Sequence, residues 1–134
     1  VKVVGKLQII SDYSSISTVE DYIDSLRNEW GINESVYGNM LLAVVEAVTN
    51  AIQHGNACDC TKMVTFEVRK NDKYISFLVK DQGEGFDPES VPDPTLPENI
   101  EEPCGRGVFL IRHLADAVHF DDNGTTVKME FALN

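Results

Sequence analysis

The chain has 134 residues, 43% of them apolar and 25% charged, and a formal net charge of -11. That length suits one domain, large enough to bury roughly two thirds of the surface its unfolded chain exposes. The acidic balance disfavours duplex nucleic acid and anionic membrane as partners, because counterion release rewards basic surfaces. No apolar run approaches the ~20 residues needed to span a bilayer.

The first residues, Val1 to Lys6, lack the apolar core and small-residue cleavage site of a signal peptide, so a cytoplasmic location is expected. Of the three cysteines, Cys58, Cys60 and Cys104, an odd number without secretory context argues against a disulfide framework. Cys-x-Cys is not the usual zinc-knuckle spacing, and buried thiols are expected.

Residues 3 to 10 read as a first strand with weak alternation. A helix running to about Trp30 follows, capped by Ser14, Ser15 or Ser17, with Val19, Tyr22, Ile23 and Leu26 on its apolar face and Gly31 as its stop. Asn33 is placed to cap a second helix over roughly 34 to 54, with Gly55-Asn56 as its left-handed exit. Thr61 to Lys70 and Tyr74 to Lys80 alternate as strands around a tight turn at Asn71-Asp72-Lys73, one face solvated and one covered by helices.

The composition then shifts. All five prolines fall between Pro88 and Pro103, among many carboxylates, and neither lysine nor arginine occurs between Lys80 and Arg106. A loop of this kind inside a compact domain is characteristic of a lid or binding loop, here about 84 to 104. Val108 to Ala115 is an amphipathic helix, and Ala117 to Phe120 and Thr125 to Leu133 form a closing hairpin around Asp121 to Gly124.

Three segments carry chemistry. In the second helix Glu46, Asn50 and His54 recur every four residues, which places all three on one slowly drifting face of an otherwise apolar helix. Polar groups there are costly to bury without partners. Asn50 offers a neutral oxygen suited to Mg²⁺, and Glu46, one turn earlier, is placed to take a proton from an attacking hydroxyl or water. Asp81-Gln82-Gly83-Glu84-Gly85-Phe86 puts a carboxylate at the end of an apolar strand, followed by glycines that let a flat ligand approach the backbone. Such a carboxylate can accept a hydrogen bond from an exocyclic amine like that of adenine. Gly105-Arg106-Gly107 opens a helix, presenting free N–H groups and a guanidinium to an anion. Neither a Walker loop nor a Rossmann fingerprint is present.

In this order the three segments resemble those of the GHKL ATPases. Glu46-x-x-x-Asn50-Ala51 matches their asparagine box. Asp81-x-Gly83-x-Gly85-Phe86 matches the first glycine box, and Gly105-Arg106-Gly107-Val108-Phe109-Leu110-Ile111 the second. Within that superfamily the chain looks most like the small anti-sigma-factor serine/threonine kinases, through Glu46 to Gly55 and Gly105 to Asp116. The resemblance implies a Bergerat-type, two-layer α/β sandwich, a single ATP-binding domain over 1–134 with helices on one face of a mixed, mostly antiparallel sheet. It implies that Asp81 binds the adenine amino group with help from Thr125, that Asn50 holds Mg²⁺ and that Glu46 activates the nucleophile. Gly83, Gly85 and Phe86 would complete the base pocket, and Gly105, Arg106, Gly107, Val108 and Phe109 would embrace the phosphates.

The implied function is a Mg-ATP-dependent kinase that holds a sigma factor and phosphorylates its antagonist, as a homodimer with neither nucleic acid nor membrane as partner. The alternative is a nucleotide-binding module that sequesters a protein and transfers nothing. A further alternative is a catalytic fragment of a two-component pathway, although the length leaves no room for the phosphoacceptor helix of a complete sensor histidine kinase.

Overall fold

The computed structural model describes residues 2–85 and 106–133. Its elements are β1 (Lys2–Ile10), α1 (Ser15–Trp30), α2 (Glu34–Asn50), a π turn (Ala51–Gly55), β2 (Met63–Lys70), β3 (Tyr74–Lys80), α3 (Arg106–Leu114), β4 (Ala117–Asp121) and β5 (Thr126–Ala132). The strands form one sheet in the order β1-β2-β3-β5-β4. Every neighbouring pair is antiparallel, where a mixed sheet was expected. The reason is topological: β4 and β5 form a hairpin, and the hairpin inserts its second strand, not its first, beside β3.

Alternation decides which face is covered. Val64, Phe66 and Val68 of β2, Ile75, Phe77 and Val79 of β3, and Val127, Met129 and Phe131 of β5 are all buried. They meet Val19, Ile23 and Leu26 of α1 and Met40, Ala43, Val44, Ala47 and Val48 of α2, residues at the three- and four-residue spacing of one helix face. Each such aliphatic side chain stabilises the fold by about 1.5–3 kcal/mol relative to its exposed state. Phe66 stacks on Phe77 at 5.8 Å, Phe77 meets Phe131 edge-on at 5.9 Å, and Tyr22 of α1 stands edge-on to Phe66 at 6.0 Å. The opposite face carries ion pairs along the strands, Arg69 with Glu67 at 2.7 Å and Lys128 with Glu130 at 3.0 Å.

The stretch Glu34–Gly55 is 22 residues long and contains an 18-residue window with a mean hydropathy of 1.2, enough by length and composition to cross a membrane. Here it is the central core helix, with Met40, Val44, Val48 and Ile52 fully buried. Local signals set the helix ends. Gly31 takes a left-handed φ of 57° and closes α1 through its N–H to Arg27 O, and Asn33 Oδ1 accepts the Ser35 N–H at 2.9 Å to cap α2. At the start of α1 the expected serine cap is replaced. Ser14 stands at the cap position without a side-chain capping bond, while Asp12 Oδ1 accepts the Ser14 N–H at 2.8 Å. Those bonds to Ser14 hold the Asp12 carboxyl below its ordinary pKa.

Candidate functional site

The site is built where α2 ends. Glu46 and Asn50 lie half-buried on α2, one turn apart. Beyond Asn50 the bonding widens: the Asn56 N–H reaches Ala51 O at 2.8 Å, five residues back, and the Cys58 N–H reaches Ile52 O at 2.8 Å. His54 lies within this wider turn. His54 is exposed, whereas Glu46 and Asn50 are half-buried. The left-handed exit also lies elsewhere, at Ala57 (φ 52°) and Cys58 (φ 56°) rather than at Gly55-Asn56. Cys58 and Cys60 are exposed free thiols, correcting the expectation of burial.

Asp81 leaves β3 on the covered face. Its N–H donates to Thr125 O at 2.9 Å, extending the ladder in which Val79 faces Val127 and Lys80 faces Thr126. Residues directly opposite in an antiparallel pair point to the same side, so Asp81 and Thr125 stand together on the helix side. Thr125 Oγ1 donates to Asp122 O at 2.8 Å. The Asp81 side chain is buried, and its Oδ1 accepts the Gly83 N–H at 2.8 Å. Burial raises its pKa above the ordinary 3.8, against the smaller opposing effects of the Gly83 N–H and the Lys62 charge.

Glycines make this packing feasible. A Cβ on Gly55 would collide with the Asp81 carboxylate, and one on Gly83 with Gly55 O. Gly55, expected only as a helix terminator, is therefore the floor against which the carboxylate rests. Gly85 has a φ of 85° and its Cα faces Asn123 O, which docks the turn after β3 on the turn before β5.

The second glycine segment meets α2 directly. A Cβ on Gly107 would occupy the space of the Asn50 amide, so Asn50 lies at the first turn of α3. There the N–H groups without intrahelical partners and the helix dipole favour an anion. Val108 is buried beneath this turn and Phe109 is half-buried, its ring 4.1 Å from that of His113. Phe86, Gly105, the Arg106 side chain, Cys104 and nearly all of the expected lid lie outside the described residues.

Asn56 joins these parts and was not singled out from the sequence. It is fully buried. Its Oδ1 accepts the Gln82 N–H at 2.7 Å, and its Nδ2 donates to Ser11 Oγ at 2.7 Å and to Met63 O at 3.1 Å. Gln82 Oε1 in turn accepts the Met63 N–H at 2.7 Å. An asparagine after a helix-ending glycine reads as a backbone exit; partners 26 and 45 residues away leave no local trace.

Together these elements place a buried carboxylate, a neutral amide oxygen and the amino end of a helix around the carboxyl end of α2. The carboxylate can accept an amine, the amide oxygen can ligate a hard cation, and the helix end can hold phosphate oxygens.

Residues 9–131 match the model of a family described as the histidine kinase-like ATPase domain. The chain is 28% identical over 114 residues to the serine-protein kinase RsbW of Oceanobacillus iheyensis, covering 80% of this chain and 72% of that protein. It is 35% identical over 97 residues to the anti-sigma F factor of Clostridium perfringens, covering 69% of each. A solved structure of the RsbU and RsbW domains of Rv1364c from Mycobacterium tuberculosis superposes with a TM-score of 0.65 at 16% identity. That likeness, which covers 96% of this chain and 32% of the other, concerns the fold.

Proposed function

The chain belongs to the histidine kinase-like ATPase domain family, in its anti-sigma kinase branch, and we propose that it transfers phosphate from Mg-ATP to a serine or threonine of a partner protein. ATP binding follows from the family. The partner is an antagonist of a sigma factor, and the chain holds that sigma factor until the antagonist intervenes. Relatives named serine-protein kinase and anti-sigma F factor support this reading. The protein works in the cytoplasm as a homodimer, each chain contributing one such domain.

The observation that carries the proposal is the contact of Asn50 with Gly107, which joins a cation-ligating oxygen to a phosphate-binding helix end. The donor set fits Mg²⁺, which is held by one or two protein oxygens and keeps its remaining positions for water and phosphate oxygens. When bound, Mg²⁺ supplies charge neutralisation between the phosphates. Asp81 accepts the adenine amine, with Thr125 beside it on the same face, and Gly83 and Gly85 leave room for the flat base. Gly105, Arg106, Gly107, Val108 and Phe109 surround the phosphates. Glu46, one helical turn before Asn50, takes the proton of the attacking hydroxyl. Catalysis is then chiefly positioning and charge stabilisation.

Calorimetric titration of ATP with and without Mg²⁺, on the unaltered protein and on Asp81→Asn, tests the reading. Binding that strengthens with Mg²⁺ and weakens in the variant is expected. Absence of ATP binding to the unaltered protein would overturn it.

A further inference from the structure

Asp81 is held by its neighbours on both sides. Before it, the ladder bond from its own N–H to Thr125 O fixes the strand end. After it, the Gln82 N–H is fixed by Asn56 Oδ1. The peptide between Asp81 and Gln82 is thereby pinned, and the next N–H, that of Gly83, orients the carboxylate through Oδ1.

The orientation of the Asn56 amide follows from its partners. The Gln82 N–H can only donate and Met63 O can only accept, so oxygen must face the first and nitrogen the second. Both Nδ2 hydrogens are used, on Ser11 Oγ and Met63 O. Ser11 Oγ donates onward to Lys62 O at 2.8 Å. One side chain thus ties the end of β1, the exit of α2, the start of β2 and the turn after β3. With full burial, any loosening leaves polar groups unpaired.

We infer that Asn56 is a positioning residue that sets how strongly the Asp81 carboxylate selects a purine bearing an exocyclic amine, by clamping the Gln82-Gly83 turn. The inference rests on the ATP reading of the Asp81 site. The clamp acts on the carboxylate and not on the helix end at Gly107. Its loss therefore weakens ligands that offer an amine and spares those that do not.

The test compares ATP with nebularine triphosphate, which lacks the exocyclic amine, by calorimetry on the unaltered protein, Asn56→Ala and Gln82→Ala. Gln82 is exposed, and its replacement removes the second tie to Met63 without emptying a buried site, so it serves if Asn56→Ala does not fold. The preference for ATP over nebularine triphosphate should fall about tenfold in Asn56→Ala and about threefold in Gln82→Ala, with nebularine triphosphate binding unchanged. Equal weakening of both ligands, or an intact preference in a folded variant, would overturn the inference while leaving the ATP reading in place. An unaltered protein that binds ATP without preferring it would instead remove Asp81 from base recognition, and the inference with it.

Discussion

The carboxylate of Asp81 rests against the bare Cα of Gly55, so a residue from the end of a strand and one from the end of a helix occupy space that no side chain at 55 can share. Gly55→Ala should therefore displace Asp81. Overpacking of a filled site costs about 1–3 kcal/mol, read as a lower urea midpoint. ATP affinity should fall at least about tenfold, since the amine loses its acceptor. Calorimetry and urea denaturation on the same sample check both.

Gly107→Ala should separate helix propensity from site geometry. Alanine favours a helix interior over glycine by about 1 kcal/mol, but its methyl group would enter the space of the Asn50 amide. The expected outcome is ATP binding that no longer strengthens with Mg²⁺. Titrations at fixed ATP with rising Mg²⁺ measure it.

Asp81→Asn addresses pH. Burial raises the Asp81 pKa above 3.8, so the folded protein holds this proton more tightly than the unfolded chain does. Stability from this group consequently falls as pH rises from the ordinary value through the raised one, and the cost of the buried charge is fully present above the folded-state pKa. The asparagine variant should melt higher at neutral pH and lose this acid-side stabilisation. Its ATP affinity should fall at the same time. Thermal melts between about pH 3 and about pH 8, on both sides of the carboxylate range, provide the check.

Glu46→Ala should leave ATP binding within about twofold and slow phosphate transfer by about a hundredfold or more, the contribution of a positioned general base. Calorimetry and transfer of labelled phosphate to an antagonist protein separate the two quantities. Transfer at the normal rate would remove Glu46 from the reaction, whereas absence of transfer by the unaltered protein would favour the binding-module alternative.

Much of the fold was legible because its signals are local. Alternation marked β2 and β3, Asn33 marked the start of α2, and Gly31 marked the end of α1. The pairing of Asp81 with Thr125 was implied by family resemblance and finds its geometric counterpart in the β3–β5 register. What escaped depends on partners distant in sequence. Nothing between Ala51 and Gly55 announces a widened turn, and His54, expected on the polar face of α2, lies in that turn and is exposed. Asp12 replaces the serines at the start of α1 because its carboxylate, two residues before Ser14, accepts the Ser14 N–H. Asn56 looked like a turn residue, and only the folded chain brings Ser11, Met63 and Gln82 around it.

The sheet order also governs assembly in time. β5 lies between β3 and β4, and among the described residues β4 has no other strand beside it. Whatever else has formed, β4 cannot join the sheet until the last strand in chain order has paired with β3, across a connection that includes the whole acidic segment and α3. Closing so long a loop is slow compared with forming the β2–β3 hairpin. The half of the sheet formed by β1, β2 and β3 can therefore close first, whereas the opposition of Asp81 and Thr125 arises only with the final strand. A chain stalled before β5 docks would have β1, β2 and β3 packed on the helices but Asp81 without Thr125 opposite it.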